Sequence, residues 1–456
     1  MDQPKTLDHD EIVRSLLEMD NRIELTNFLE SLQAREVVYL MNNLDRKDQH
    51  KLLTVISPED AADVIEELPD AQAADIIEDM DAEDAAAIIN EMTSDEQADL
   101  MLELDDDEAE AILTEMTPAQ AANVRRMIDY DPETAGGLMI TEYFSYRLSS
   151  TIKEVVDDLK KNAEKYKEYQ IRYIYVVSHQ NLFMGVLQMQ DLLLATQKQK
   201  LSEIVIKDVK TVSVSASLDE LADLFNTYEF YGFPVVDDQN KLIGVIGRKN
   251  VLEAINERSA FEHLQSQGIV GGDELRTMPV LLRSRRRLTW LSVNILLNIV
   301  AASVITLYQE TLSAVIALAV FLPIISDMSG CSGNQAVAVS MRELSLGTVK
   351  AGEVLRVWLQ EISVGLINGL VLGILIGLAA FIWKGNLYLG LVVGGALAVN
   401  TIIAVSIGGT VPLILKKMNI DPALASGPIL TTITDMIGFF LALSFATIAL
   451  GKLINL

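Results

Sequence analysis

The most informative ionisable residue of the chain is Asp435, which lies within its last long apolar stretch. A carboxylate at the centre of a membrane helix costs about 2.5–3.5 kcal/mol on insertion scales, and such residues usually face a bundle interior or a water-filled path. Thr431, one helical turn earlier, can offer a hydroxyl or a carbonyl oxygen to the same path. The pattern therefore points to ion permeation at Asp435, with a buried structural carboxylate as the alternative.

A second apolar stretch is interrupted by polar and small residues and reads LPIISDMSGCSGNQ over residues 322–335. Lipid would leave the side-chain amides unpaired, so we expect them to point inward. Pro323, Gly330 and Gly333 predict a break in this helix, which is tolerated where backbone lines a cavity. There are alternatives to a role in lining the path. Asp327 could cap a helix, Cys331 could simply pack, and the amides could tie helices together. The candidate path-lining residues are Asp327, Cys331, Asn334, Gln335 and, in a later stretch, Asn400.

The first half of the chain is strongly acidic. The 456 residues carry a net charge of −28, and 23 Asp and Glu lie between residues 57 and 116. Such a surface attracts cations and repels nucleic acid. Residues 57–128 form six gapless units of 12 residues, each predicting one short helix of a superhelical stack. The acids are interpreted either as a solvated face or as a divalent-cation sensor, for which Glu59 and Asp95 are candidates.

Apolar segments dominate the second half, and their lengths fit the roughly 20 residues that a membrane helix needs. Arginines and lysines flank one side of these segments, so the positive-inside rule predicts a cytoplasmic N-terminal half and an outside C-terminus. The N-terminus lacks a signal-peptide pattern, and the single cysteine excludes an internal disulfide. The five predicted spans are 288–309, 312–341, 355–383, 387–415 and 423–451.

Residues 137–260 contain two similar units of helix, strand, turn, strand and helix. The correspondence is plain at IYVVSHQNLFMGVLQMQDLL against FPVVDDQNKLIGVIGRKNVL. These units resemble a tandem pair of cystathionine-β-synthase (CBS) domains, which often bind adenine nucleotides. The resemblance implies that Asp191, Phe233 and Pro234 could contact a nucleotide, with a role in the core as the alternative for Phe233 and Pro234. Asn250 replaces an acid that the second unit usually carries there.

The chain resembles the MgtE family of magnesium channels and transporters. The resemblance rests on four features in order, namely the acidic repeats, the CBS pair, the run SDMSGCSGNQ and the run DPALASGPILTTITD. The resemblance implies a multidomain membrane protein with an all-α superhelical N-terminal domain, an α+β CBS pair, a connecting helix and a five-helix α transmembrane domain. The implied boundaries are 1–130 for the N domain, 131–200 and 201–260 for the CBS domains, 261–284 for the connecting helix and 285–456 for the membrane domain.

The family further implies a homodimer in a cell membrane, with a pore between two sets of helices and Asp435 of each chain facing Mg²⁺. It also implies a cytoplasmic Mg²⁺ lock, for which Glu253, Glu257 and Glu262 remain. Lys249 and Arg258 stand where acids are common, so we expect a weakened lock. The thiol of Cys331, where the family has an amide, leaves the choice among Mg²⁺, Mn²⁺, Co²⁺ and Zn²⁺ open.

The expected function is influx of divalent cations down the electrochemical gradient, gated by the cytoplasmic half. The chain has no GxxxxGK[ST] phosphate loop, so an ATP-driven pump is disfavoured and the protein is not expected to be an enzyme. One rival function is a membrane-anchored sensor of metal or nucleotide that signals to a partner protein. Another is a membrane enzyme that uses Asp327 and Asp435 on a lipid.

Overall fold

The computed structural model divides into two compact units, Met1–Arg258 and Ser259–Leu456. The residues it describes are 9–19, 21–163, 166, 169, 172–271, 274–276, 278–418, 420 and 422–454. Residues 1–8, on which part of the signal-peptide prediction rests, and Asp421, which opens the last family motif, lie outside the described residues.

The first unit begins with short helices that follow the 12-residue period of the sequence. Within the first repeat, Ala61, Val64, Ile65 and Leu68 recur at helical spacing and are all buried. Each repeat helix packs against the helix two further along the chain, as α5 does on α7 and α6 on α8, which joins the apolar stripes into one core. The helices are α1 (His9–Glu18), α2 (Arg22–Glu30), α3 (Ala34–Asn43), α4 (Arg46–Val55), α5 (Pro58–Glu66), α6 (Asp70–Ile77), α7 (Ala82–Ile89), α8 (Ser94–Glu103), α9 (Asp106–Glu115) and α10 (Pro118–Ile128).

Two three-stranded sheets of the same topology follow in the first unit. In each sheet the first strand pairs parallel with the second, which pairs antiparallel with the third. Both hairpins turn through an asparagine with positive φ, Asn181 at 65° and Asn240 at 58°. The elements are β1 (Phe144–Arg147), α11 (Ile152–Lys161), β2 (Tyr173–Val177), β3 (Phe183–Gln188), α12 (Met189–Leu194), α13 (Leu201–Ile204), β4 (Val212–Ser213), α14 (Leu218–Thr227), β5 (Gly232–Val236), β6 (Leu242–Gly247) and α15 (Arg248–Ser266).

The two hairpins face each other as a pseudo-symmetric pair. The Phe183 amide donates to the Asn240 carbonyl at 2.9 Å, and the Leu242 amide donates to the Asn181 carbonyl at 3.3 Å. A β-bulge occurs at the same place in both, after Val176 and after Val235. The internal duplication predicted from the sequence is therefore confirmed.

The second unit consists of long apolar helices. Within the described residues, four helices are long and apolar enough to cross a membrane by length and composition, namely Val280–Leu307, Val354–Lys384, Leu387–Lys417 and Gly427–Ile448. A fifth helix of 28 residues carries the polar run and is not among these four. The elements are α16 (Val280–Leu307), α17 (Gln309–Ala314), α18 (Leu318–Ser345), α19 (Val354–Lys384), α20 (Leu387–Lys417), α21 (Pro422–Ile448) and α22 (Leu450–Leu453).

Small residues allow α19 and α20 to approach closely. Gly365, Gly369, Gly373 and Gly377 are all buried on one face of α19. A Cβ added at Gly373 would lie 2.6 Å from the carbonyl oxygen of Gly394. The four-residue glycine spacing therefore serves helix packing.

The prediction of a break in the helix of the second span is wrong. The helix of the second span begins at Leu318 rather than at residue 312, and it continues through Pro323, Gly330 and Gly333. Likewise, α20 continues through Pro412. The glycines are needed for packing rather than for bending, since a Cβ added at Gly408 would lie 2.2 Å from the Gly333 carbonyl oxygen.

Candidate cation path and acidic cluster

Asp435 is half-buried in the middle of α21, facing α18. Ser326 of α18 donates a hydrogen bond from its hydroxyl to this carboxylate. Asp327 is near enough to act on the same carboxylate electrostatically. A second negative charge and a hydroxyl therefore lie beside the one acid that α21 carries.

Asn400 is the most deeply placed of the predicted polar residues, with 0 % of its surface exposed. Its Nδ2 donates to the carbonyl oxygen of Thr434 at 3.0 Å, which ties α20 to the turn that precedes Asp435. Among the described residues its Oδ1 atom is buried without a hydrogen-bond partner. A buried unsatisfied acceptor is costly, so this oxygen is suited to a buried water, and its lining of a path stays a prediction.

The remaining candidates on α18 form an exposed polar stripe. Cys331, Asn334 and Gln335 follow Asp327 by four, seven and eight positions, so the four residues share one helix face. All four side chains are exposed on the single chain. In the single chain the inward face of α18 is occupied by Ser329, Ser332 and apolar side chains, so lining of a path by Asn334 and Gln335 stays a prediction.

Thr431 lies on the exposed side of α21, one turn before Asp435. Its hydroxyl donates to the Gly427 carbonyl at 3.0 Å, and its own carbonyl accepts from the Thr434 hydroxyl at 3.0 Å. The hydroxyl oxygen can still accept a hydrogen bond from a hydrated cation, whereas the carbonyl already accepts the Thr434 hydroxyl and a backbone N–H of the helix.

In the first unit, Asp95 is buried between α8 and α15. It accepts hydrogen bonds from the Thr93 hydroxyl at 2.6 Å and from the side-chain amide of Asn250. Burial raises the pKa of Asp95 above its usual range, and these hydrogen bonds oppose the shift. Asn250, which the sequence marks as replacing an acid, is therefore the neutral partner of a buried acid.

Asp95 belongs to a larger group of carboxylates, which we call the acidic cluster: Glu66, Asp70, Asp95, Glu96, Asp99 and Glu257. Burial followed by repulsion from neighbouring acids raises the pKa of Glu96 to about 9 and that of Asp99 to about 8. Burial likewise raises the pKa of Glu66 to about 7. Such repulsion is relieved by protons or by a bound cation.

Sequence reasoning selected Asp95 and Glu257 but missed the other members of the acidic cluster. The signal lay in α8, where Asp95 and Asp99 are four residues apart and Glu96 follows directly. Like charges at this spacing destabilise a helix unless something compensates them. The contributions of Glu66 and Asp70 from other helices could only be found in the folded chain.

The other predicted sensing residues are more exposed. Glu253 forms an ion pair with Lys249 at 3.4 Å, and Glu59 lies exposed on α5. Glu262 is half-buried on α15. Glu257 is exposed, yet its pKa is raised, first by partial burial and then by Asp70 and Glu253.

The predicted nucleotide contacts lie in the second unit of the duplicated fold and in α12. Phe233 is fully buried, and its ring packs against Phe225 with centroids 4.8 Å apart. Pro234 is buried beside it in β5, and Asp191 is half-buried on α12. Both buried side chains therefore contribute to the core, and nucleotide contact through them stays a prediction.

A further group of acids, Glu78, Asp105 and Glu108, brings oxygen atoms within 4.8 Å of one another. Burial and repulsion from Glu108 raise the pKa of Glu78, and the Asp105 backbone amide donates to it. Acids of this kind are common on an acidic surface, so we do not assign a metal site to these three residues.

Family models match three parts of the chain. Residues 32–133 match the MgtE intracellular N domain, residues 201–257 match a CBS domain, and residues 322–445 match the MgtE divalent cation transporter domain.

Two relatives and a solved structure are also similar to this chain. The magnesium transporter MgtE of Thermus thermophilus is 33 % identical over 330 residues, which is 72 % of each chain. The magnesium transporter MgtE of Bacillus subtilis is 31 % identical over 324 residues, which is 71 % of each chain. The crystal structure of the soluble part of a magnesium transporter covers 56 % of this chain and 99 % of its own, with 25 % identity and a TM-score of 0.51.

The chain combines an acidic helical stack, a CBS pair and a bundle of membrane-length helices with an internal carboxylate. These features define a class of protein, the integral-membrane cation transporters with an intracellular N domain. Within that class, the chain belongs to the MgtE family of divalent cation transporters. It is accordingly a member of a transporter family and not of an enzyme family.

Proposed function

We propose that this protein carries divalent cations, Mg²⁺ foremost, down their electrochemical gradient along a path lined by α18 and α21. The observation that carries the proposal is the exposed polar stripe of Asp327, Cys331, Asn334 and Gln335, next to Asp435. In hydrocarbon these groups would lose their hydrogen bonds with water, so the stripe has to face water or protein. The relatives named as magnesium transporters support Mg²⁺ as the cargo.

A second copy of the chain is the simplest cover for this stripe. Two α18–α21 faces brought together enclose a polar channel with one Asp435 from each chain, while the apolar faces of α16 and α19 remain toward lipid. The proposed protein is thus a homodimer, and α18 is its fifth membrane span. The proposed domain boundaries remain those of the sequence analysis.

Asp435 is proposed to hold the ion through its water shell. Mg²⁺ dehydrates reluctantly and prefers one or two carboxylates together with neutral oxygens. Ser326 would orient the carboxylate, the Thr431 hydroxyl would accept a hydrogen bond from ion-bound water, and the buried Asn400 would hold the helix turn before Asp435 in place. Each unit of charge that moves inward gains about 2.3 kcal/mol per 100 mV, so no chemical energy source is needed.

The acidic cluster is proposed to be the regulatory part. Cations from a cytoplasmic pool would relieve the repulsion among Glu96, Asp99 and Glu66 and so favour the compact form of the soluble region. Asn250 in place of an acid, and Lys249 paired with Glu253, lower the negative charge available there. The Mg²⁺ response is therefore proposed to be weaker than in a fully acidic site.

A sensor that signals to a partner remains the second candidate, because the CBS pair and the acidic cluster would suit it. Nucleotide binding near Asp191 belongs to this candidate as well. A pure sensor has no need for an exposed carboxylate and amides in the middle of membrane helices, so the transport proposal explains more of the chain.

Ion flux in liposomes tests the proposal. The full-length protein is reconstituted, and uptake of Mg²⁺ is followed with an enclosed fluorescent indicator. We expect Asp435→Ala to abolish flux and Asp435→Asn to reduce it strongly, because both remove the charge that attracts the cation.

The matched control is Glu353→Gln, which removes a half-buried acid paired with Arg356 at 2.8 Å outside the proposed path. Its flux should equal that of the wild type. Unchanged flux in correctly folded Asp435→Ala would refute the role of Asp435, and absent Mg²⁺ flux in the wild type would favour the sensor.

A further inference from the structure

The N-terminal part of α16 carries an unusual concentration of positive charge. Residues 275–309 contain five arginines and no acid, and four of these arginines lie between positions 283 and 287. They directly precede exposed apolar residues such as Leu288, Leu291 and Ile295. This order places the arginines where the helix passes from water into the headgroup region of a bilayer.

Most of these arginines are already engaged on one side of the helix. Arg283 and Arg287 both pair with Glu274, the former at 3.5 Å and the latter through Nε at 2.9 Å. Arg286 lies half-buried on that side, with its Nη1 atom 3.6 Å from the Met278 sulfur. The one acid described beside the cluster, Glu274, is thus fully used.

Arg285 lies apart from these contacts. Its side chain is exposed, and within the described part of the chain its guanidinium has no hydrogen-bond or ion-pair partner. It shares a face with hydroxyl and apolar residues, since these recur at helical spacing along α16. This face forms a shallow groove of about 380 Å³, lined by Leu281, Ser284, Arg285, Leu288, Thr289 and Ser292.

We propose that this groove binds the phosphate headgroup of an anionic phospholipid, with Arg285 and Ser284 as phosphate ligands and Leu288 against the first acyl carbons. A guanidinium offers several N–H donors in one plane, which suits phosphate oxygens. The Ser284 hydroxyl adds a further donor, whereas the Thr289 hydroxyl is used by the Arg285 carbonyl at 2.9 Å. The proposal does not depend on the cation path and can hold if that path is wrong.

Charge and polarity together favour a lipid over other occupants. The groove combines a free cation with exposed leucines, of which Leu281 is 86 % and Leu288 55 % accessible. A soluble phosphate would leave those leucines in water, and a second α16 would bring two Arg285 cations together. An anionic lipid satisfies the cation and covers the apolar surface at the same time.

Native mass spectrometry of the full-length protein tests the site directly. Protein in detergent is titrated with phosphatidylglycerol, and the lipids retained per chain are counted for wild type, Arg285→Gln and Arg342→Gln. Arg342 is the matched control, an exposed arginine in the last turn of α18. We expect Arg285→Gln to weaken phosphatidylglycerol retention about fivefold, as one arginine contributes about that factor at a membrane surface, while Arg342→Gln has no effect.

The same titration decides the nature of the occupant. Inorganic phosphate at a tenfold molar excess over the lipid should leave the bound phosphatidylglycerol in place, and phosphatidylcholine should be retained less in the wild type. Three outcomes would each overturn the proposal. They are equal retention of the lipid in Arg285→Gln and the wild type, equal loss in Arg285→Gln and Arg342→Gln, and displacement of the lipid by inorganic phosphate. A lower dimer fraction in lipid-free Arg285→Gln would instead identify the groove as a contact between chains.

Discussion

Cys331 offers the sharpest test at the scale of single residues, because it is the one cysteine of the chain and is exposed on α18. If the polar stripe lines the cation path, a cationic, membrane-impermeant thiol reagent should reach it and block flux. The added bulk and positive charge both oppose a permeating cation. The measurement is Mg²⁺ uptake in liposomes before and after labelling, which needs no cysteine-free background.

The control for this experiment is Cys331→Ser, which should conduct and resist the reagent. Complete labelling of Cys331, verified by mass spectrometry, with undiminished flux would remove the stripe from the path. Comparison of Mg²⁺ and Mn²⁺ uptake in Cys331→Asn then tests selectivity. The ratio of Mn²⁺ uptake to Mg²⁺ uptake should fall when the thiol, a softer ligand, is replaced by an amide.

Asn400 is expected to matter for stability as well as for transport. Asn400→Ala removes the hydrogen bond to the Thr434 carbonyl and leaves a cavity in place of a fully buried side chain, so the free energy of unfolding should fall by about 1–3 kcal/mol. Denaturant unfolding in detergent measures this change. Asn298→Ala, at an exposed position of α16, should change stability little, and an equal loss at both positions would show that the bond is unimportant.

At the scale of elements, the contact of α19 with α20 depends on the absence of side chains. A Cβ at Gly394 would lie 2.4 Å from the Gly373 carbonyl oxygen, whereas a Cβ at the adjacent Gly395 would lie 3.8 Å from Phe445. We therefore expect Gly394→Ala to lower the yield and the unfolding temperature of the protein, because the helices have to separate.

Gly395→Ala is the control, and it should be neutral or slightly stabilising because alanine favours helix over glycine. Size-exclusion profiles and thermal unfolding of both variants compare the two positions. Equal behaviour would mean that the α19–α20 contact adjusts without cost.

The acidic cluster predicts a pH dependence of helix α8. Carboxylates whose pKa is raised on folding favour the folded state at low pH, and this stabilisation is lost as pH rises through the folded values. For Glu96, near 9, and Asp99, near 8, the unfolding free energy of the soluble region should fall between about pH 4 and 9. Thermal unfolding of the full chain without divalent ions measures the slope.

Glu96→Gln combined with Asp99→Asn should flatten this slope, because neither replacement ionises. Glu115→Gln on the next helix is the control, since that side chain is exposed. An unchanged slope in the double variant would show that the two acids do not destabilise the folded chain.

For the whole molecule, the expected weak response to Mg²⁺ can be followed by protease protection. Protection of the wild type should require more than low-millimolar Mg²⁺, since Asn250 leaves Asp95 with a neutral partner. Asn250→Asp places two carboxylates face to face, which a divalent cation can bridge, so protection should occur at lower Mg²⁺.

Asn43→Asp, on an exposed part of α3, adds the same charge elsewhere and should leave the midpoint unchanged. Strong protection of the wild type at low-millimolar Mg²⁺ would contradict the weakened lock. A shift of equal size in both variants would assign the response to total charge rather than to the acidic cluster.

Local and periodic features of this protein are determined by its sequence alone. The 12-residue period, the duplicated hairpins, the membrane-length apolar runs and the exceptional position of Asp435 are all visible in the residues, because each depends on near neighbours or on hydrophobicity. Proline and glycine were less reliable guides, since α18 and α20 remain continuous where their glycines are needed for packing.

Only the tertiary structure decided which polar groups meet. It buries Asn400 against Thr434, leaves Asn334 on the surface of the chain, and brings Asn250 to Asp95 across 155 positions. Burial and pairing depend on how whole helices pack, and residues far apart in sequence contribute equally to that packing. Asp435 and the residues of the polar stripe could therefore be selected from the sequence, but the partner Ser326 and the exposure of the stripe on the single chain could not.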